Sequence, residues 1–248
     1  MSRPHSETIL SHLHEVERQR EYRLSIPGLP QMTEQLKQFQ QMRFRRSYAD
    51  LLAHPRYTGA AQFFLDHLYG PGDFSRRDAQ FARVVPTVVR LFPNDVVSTV
   101  AKLAELHALS EDLDTRMAEE LFADGCPISP EAYLQAWQKT GMREQREMQI
   151  ELTIQIGAEL ERLTRKPLLR QALRMMRGPA GAAGLTELQS FLEVGFDTFR
   201  AMKGADEFLS TVDRRERTLC DALFETSILG RSAKENSDLA QIRRYFSA

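Results

Sequence analysis

Of 248 residues, 42% are apolar and 27% charged, a balance that excludes a disordered chain and suffices for a core without disulfides or metal. The formal charge of −1 excludes a global attraction to phosphate backbones or anionic lipid, so neither a nucleic-acid nor a membrane partner is expected. Cys126 and Cys220 stand apart without CxxC or Cys/His spacing, which argues against a disulfide framework and a zinc site.

The opening segment MSRPHSETILSHLHEVERQREY has no apolar core followed by a cleavage site. No later run approaches the roughly 20 apolar residues of a membrane span, and a cytoplasmic protein is the expectation. Ile9, Leu13, Val16 and Arg20 make a narrow stripe on a charged helix that ends at Ile26-Pro27-Gly28. Residues 1–28 therefore read as a loosely packed helical arm. Thr33 is the predicted N-cap of a second helix through Leu36, Phe39, Gln40, Phe44, Tyr48, Leu51 and Leu52, with Arg43, Arg45 and Arg46 on its outer face.

Residues 57–69 place Tyr57, Ala61, Phe64 and Leu68 on one helical face, and Gly70-Pro71-Gly72 stops them. Ser75 then stands where an N-cap belongs, Asp78 three residues on suits the reciprocal cap, and Phe74 suits a staple onto Ala79. Pro86 predicts a kink or break near residues 82–85. Asn94-Asp95 restarts a long helix with Val96, Val100, Leu103, Leu106, Leu109, Leu113, Met117 and Leu121 inward, stopped by Gly125 and Pro127.

Ser129-Pro130-Glu131 is a strong helix start, and Gly141 closes that helix behind Trp137. Met148, Ile150, Leu152, Ile154 and Ile156 alternate with a strand's period. The Glu, Gln, Arg and Leu content of residues 142–165 favours a buried central helix, with a strand as the alternative. Pro167 opens a helix with Leu168, Leu169, Leu173 and Met176, and the small-residue run from Gly178 to Gly184 reads as a linker. Beyond it come a helix with Leu188, Phe191, Leu192, Phe196 and Phe199, a stop at Gly204, a long helix through Phe208, Val212, Leu219, Leu223 and Phe224, and a polar tail that can dock through Ile242, Tyr245 and Phe246.

No period of repeat length recurs. The predicted fold is all-α, an irregular bundle of roughly eight to ten helices. Residues 29–230 form a single bundle domain with a sub-boundary at 178–184, and residues 231–248 a tail with a short terminal helix.

Few polar groups suit chemistry. His107, Glu111 and Asp114 lie at i, i+4 and i+7 on one helix face, the way bundles present ligand or acid/base groups. The chain has no Glu-x-x-His, so no metal and no cofactor is predicted there. Asp66 and His67 are the polar pair in the densest aromatic segment, pointing about 100° apart, so one of them can face a pocket. Arg76 and Arg77 at a helix start are anion-binding candidates, set against mutual neutralisation with Asp73 and Asp78. Arg170, Arg174 and Arg177 form a second basic face, read like the first as solvated or partner-facing. The 178–184 glycines lack the strand and lysine of a phosphate loop.

The segment FFLDHLYGPGDFSRRD resembles the FFLEELY-motif proteins, and the likeness runs on through RVVPTVVRLFP, LAELHALSEDLD, LTRKPLLRQALRMMRGP and FLEVGFDTFRAMKGADEFL. The resemblance implies a bacterial, cytoplasmic helical protein of unestablished activity and carries no catalytic residue. Where the motif's name has two glutamates, this chain has Asp66 and His67.

The leading expectation is a non-enzymatic module that binds a partner protein or itself through helical faces. The alternative is a helical-bundle protein, an oxidoreductase among the options, that binds a metal or small ligand in a pocket between the Asp66 and His107 helices.

Overall fold

The computed structural model describes residues 3–68, 70, 72, 74–125, 127–227 and 233–246. Every regular element among them is helical. Pro71, Asp73 and Cys126 lie outside the described residues, and with them the Asp73 and Cys126 expectations.

The axis of the bundle is α6 (Asn94–Asp124), a helix of 31 residues that ends in the left-handed conformation at Gly125 (φ 65°). α1 (Arg3–Leu24) packs along it and against α5 (Ser75–Leu91), so the arm is integral where the sequence predicts loose packing. Ile9, Leu13 and Val16 are buried there. Farther along α1, Gln19 and Arg23 continue the stripe with hydrogen bonds to Asp112 and Glu111 of α6. An apolar pattern alone cannot show that polar extension.

α2 (Leu29–Ser47) starts four residues ahead of its predicted cap, with Gly28 at the N-cap (φ 95°) and a proline in the first turn. Thr33 lies inside the helix, its hydroxyl donating to the Leu29 carbonyl at 2.9 Å. α3 (Ala49–Ala53) and α4 (Thr58–Phe63) are short, and α4 runs into a π-helical turn, Phe64–Leu68. α5 begins at Ser75 itself, with no side-chain cap at Phe74, and continues through Pro86 without a break. Fully buried Val85, packed between α1 and α6, offsets the one hydrogen bond the proline forfeits.

α7 (Pro130–Thr140) has the predicted cap, Ser129 Oγ accepting from the Ala132 amide at 3.1 Å. α8 (Arg143–Thr164) is helical throughout, and Met148 in its alternating run is exposed. α9 (Pro167–Met175) leads into α10 (Arg177–Ala182), a helix where the sequence reads as a linker. Its alanines favour the helical state and Ala180 is buried, while Gly184 (φ 69°) closes the end. α11 (Thr186–Ala201), α12 (Asp206–Glu225) and α13 (Ala233–Phe246) complete the chain, α13 seating Phe246 on Phe39 with ring centroids 4.9 Å apart.

Thirteen α-helical segments are described, above the predicted eight to ten. α3, α4 and α10 are too short for a period to reveal them. Three apolar clusters fill the interior: one about Leu36, Trp137 and Leu223, one about Phe64, Phe199 and Phe208, one about Ile9, Val85 and Val97. The predicted basic faces turn partly inward. Arg43 is buried and paired with Glu216, and Arg170 is buried and paired with Asp197. Among the described residues no helix is long and apolar enough to cross a membrane.

Candidate functional site

The π-turn at Phe64–Leu68 widens the helix by one residue per turn and leaves carbonyls outside the α-helical ladder. Two of its carbonyls are taken by side chains: Gln41 donates to Leu65 O at 2.9 Å and Arg77 to His67 O at 2.9 Å. Arg77 is also stacked between the rings of Phe74 and Phe191. Gly70 closes over the turn so tightly that a Cβ there would lie 2.8 Å from Leu65 O. Gly70→Ala is therefore expected to lower stability by about 1–3 kcal/mol, read as a shifted urea midpoint at constant m-value.

Inside the bundle lies a cavity of about 180 Å³ bordered by side chains of α1, α2, the π-turn, α5, α6, α7, α8, α11 and α12. Its α6 border runs from Val100 to Asp114, roughly 21 Å at ~1.5 Å rise per residue. His67, Phe74, Phe191 and Leu192 are among its border residues, His67 lying against the Phe191 ring at 6.0 Å. Trp137, Leu219 and Leu223, members of one apolar cluster, border it as well.

Charged side chains stand among them. Asp78, the predicted cap, is turned inward, accepting from Arg20 at 3.1 Å and lying 3.0 Å from His107 Nε2 and 3.4 Å from Arg77. Burial pushes its carboxyl up, and His107, Arg77 and Arg20 together outweigh this and hold it below the usual carboxylate value. Glu111 accepts from Arg23 at 2.7 Å and Lys37 at 2.5 Å. Burial pushes it up as well, and those two cations bring it down to about 2. Glu216 pairs with Arg43 and takes the Tyr48 hydroxyl at 2.6 Å. Asp114 accepts from the Gln40 amide at 3.0 Å, and burial holds its carboxyl above the ordinary range.

Among the described residues four arginines are buried: Arg23, Arg43, Arg146 and Arg170. Three have a carboxylate partner. Arg146, 4% exposed and on the cavity border, has none within 4.0 Å among the described residues. Its guanidinium stacks on Trp137 at 4.1 Å, and Nη1 donates to Gln149 Oε1 at 3.4 Å. Gln149 in turn donates to Ser110 Oγ at 2.8 Å. Arg146 Nη2 and Trp137 Nε1 are buried donors with no hydrogen-bond partner among the described residues. A guanidinium keeps its charge and offers only donors, and indole Nε1 is likewise donor-only, so both atoms lack an acceptor.

A family model described as Domain of unknown function (DUF8198) matches residues 19–228. The chain belongs to the DUF8198 family. No curated protein and no solved structure matches it. The matched span holds every charged residue that borders the cavity.

In this DUF8198 chain the predicted candidates separate. His67, His107, Glu111 and Asp114 border the cavity. Asp66 is exposed and accepts from Gln62 at 2.8 Å, outside it. His107, Glu111 and Asp114 share a face, yet each answers to its own partner: Asp78, the Arg23/Lys37 pair and Gln40. Among the described residues no three His, Cys, Asp or Glu side chains are grouped to hold a metal ion. Arg76 is exposed and 3.2 Å from Glu187, whereas Arg77 is part-buried among aromatic rings, so the two do not converge on one anion.

Sequence reasoning misses Arg146, Trp137 and Gln149. The available signal is positional: Arg146, Ile150, Thr153 and Gly157 follow i, i+4, i+7, i+11, which places an arginine on the inward stripe of α8. Trp137 is also the chain's single tryptophan.

Proposed function

We propose that this chain is a small-ligand-binding helical protein whose site is the cavity along α6. The supporting observation is the cavity with its charged border. A bundle built for packing alone gains more from apolar side chains in such space, because buried ion pairs are often neutral or worse than well-packed apolar residues. An engineered apolar cavity of about 150 Å³ takes up benzene, and the roughly 180 Å³ here, drawn out along α6, has room for a small, slender organic molecule. The expectation of association through helical faces rests on the helical architecture and on basic faces that turn partly inward at Arg43 and Arg170. The FFLEELY likeness, a bacterial origin and a cytoplasmic setting belong with this reading as further proposals.

The test is a thermal-shift screen of the purified chain against small neutral and charged metabolites. A ligand at a hundred times its dissociation constant adds about 2.7 kcal/mol, or roughly 5–10 °C in Tm for a chain of this size. Cys220 borders the cavity, is buried, and burial pushes its thiol up to about 11. Cys220→Leu fills space beside it and is expected to abolish the shifts. A blank screen, or hits indifferent to Cys220→Leu, would contradict the proposal.

A further inference from the structure

We infer that the ligand of this cavity is a small monocarboxylate with an apolar body, its carboxylate paired with Arg146. The inference rests on the ligand-binding reading above and adds the chemical class. Each carboxylate on the cavity border other than Asp114 already has a cation: Asp78 has Arg20 and Arg77, Glu111 has Arg23 and Lys37, Glu216 has Arg43. Arg146 is the border cation with no carboxylate within 4.0 Å among the described residues. Asp114 is turned to Gln40 and lies beyond ion-pair distance of Arg146.

Leaving a guanidinium buried without a counter-charge is costly, and stacking on Trp137 offsets only part of that cost. An anion restores the balance. The two unsatisfied donors, Arg146 Nη2 and Trp137 Nε1, sit on stacked groups and both need an acceptor. Two neighbouring donors, one on each stacked group, match the two oxygens of a single carboxylate. Leu219, Leu223 and Ile150 border the cavity and pack in the apolar cluster that holds Trp137, and they select an apolar body over a bare inorganic ion. The long 3.4 Å contact of Arg146 with Gln149 is the one an incoming carboxylate most readily displaces.

The experiment compares hexanoate and benzoate with hexanamide and benzamide, at constant ionic strength, by thermal shift on the full chain. The carboxylates are expected to raise Tm by about 3–6 °C at ten times their dissociation constant, with no shift from the amides or from inorganic phosphate. Arg146→Met is expected to lose the carboxylate shift while its own ligand-free Tm rises. Arg146→Lys, which keeps the charge, is expected to retain part of the shift. Shifts from the amides equal to those from the carboxylates, persisting in Arg146→Met, would overturn the carboxylate assignment and leave the cavity as a neutral-ligand site. Phosphate acting as well as the carboxylates would overturn the apolar body. No shift from any probe would overturn the inference, and a blank metabolite screen beside it would overturn the ligand-binding reading too.

Discussion

Glu111→Ala is expected to destabilise the fold by about 3–5 kcal/mol, the largest effect of any single change at the site. Glu111 is buried on α6 and holds two cations from two other helices, Arg23 of α1 and Lys37 of α2. Arg23 has one other side-chain partner, the Thr115 hydroxyl at 2.8 Å. Truncating the carboxylate leaves Arg23 and Lys37 without the carboxylate that pairs them, and unpaired buried charge is the expensive outcome. Removing all three charges together, as Arg23→Met, Lys37→Met and Glu111→Leu, is expected to recover most of the loss. The apolar replacements fill similar volume and leave nothing unsatisfied. Urea unfolding at constant m-value checks both, and a single Glu111→Ala variant as stable as the parent would remove the ion pairs from the account.

Acid is expected to unfold the protein through the same residue. Glu111 has a folded value of about 2 against an ordinary 4.5, so the folded state binds the proton less readily than the unfolded one. Its contribution, about 3 kcal/mol, is complete above pH 4.5 and is lost as the pH falls toward 2. Asp114 works in the opposite sense. Burial raises its folded value, so it adds stability as the pH falls through that value toward 3.8. Asp50, lowered to about 2 by Arg215, acts in the direction of Glu111, though solvent screens this exposed pair. The net expectation is a steep loss of stability between pH 4.5 and 2, with a shallower slope in Glu111→Gln. Unfolding free energies measured from pH 7 down to 2 decide it, and an unchanged slope in Glu111→Gln would contradict the assignment.

The long helices were readable because their ends carry local chemistry. Asn94, Ser129-Pro130 and Gly141 act through neighbours in sequence, and α6 and α7 begin and end where those residues place them. Thr33 and Asp78 misled for the opposite reason. Both look like capping residues, but one bonds within its own helix and the other turns inward to α1 and α6, partners that no local pattern shows. Asp66 and His67 divide between solvent and cavity at a π-turn that sequence periodicity does not reveal. Arg146 was hidden by type. An arginine in a Glu/Arg/Gln-rich helix reads as solvent-facing, and only its register with Ile150, Thr153 and Gly157 places it inward.

Trp137 gives the most direct test, because the chain's single tryptophan stacks on the guanidinium proposed to take the ligand. The measurement is its fluorescence during a titration with hexanoate, which is transparent at the wavelengths used. A saturable change with one site per chain, absent in Arg146→Met and absent with hexanamide, is the predicted result. A flat or non-saturating signal, or the same curve in Arg146→Met, would contradict the central claim that the cavity holds a carboxylate at Arg146.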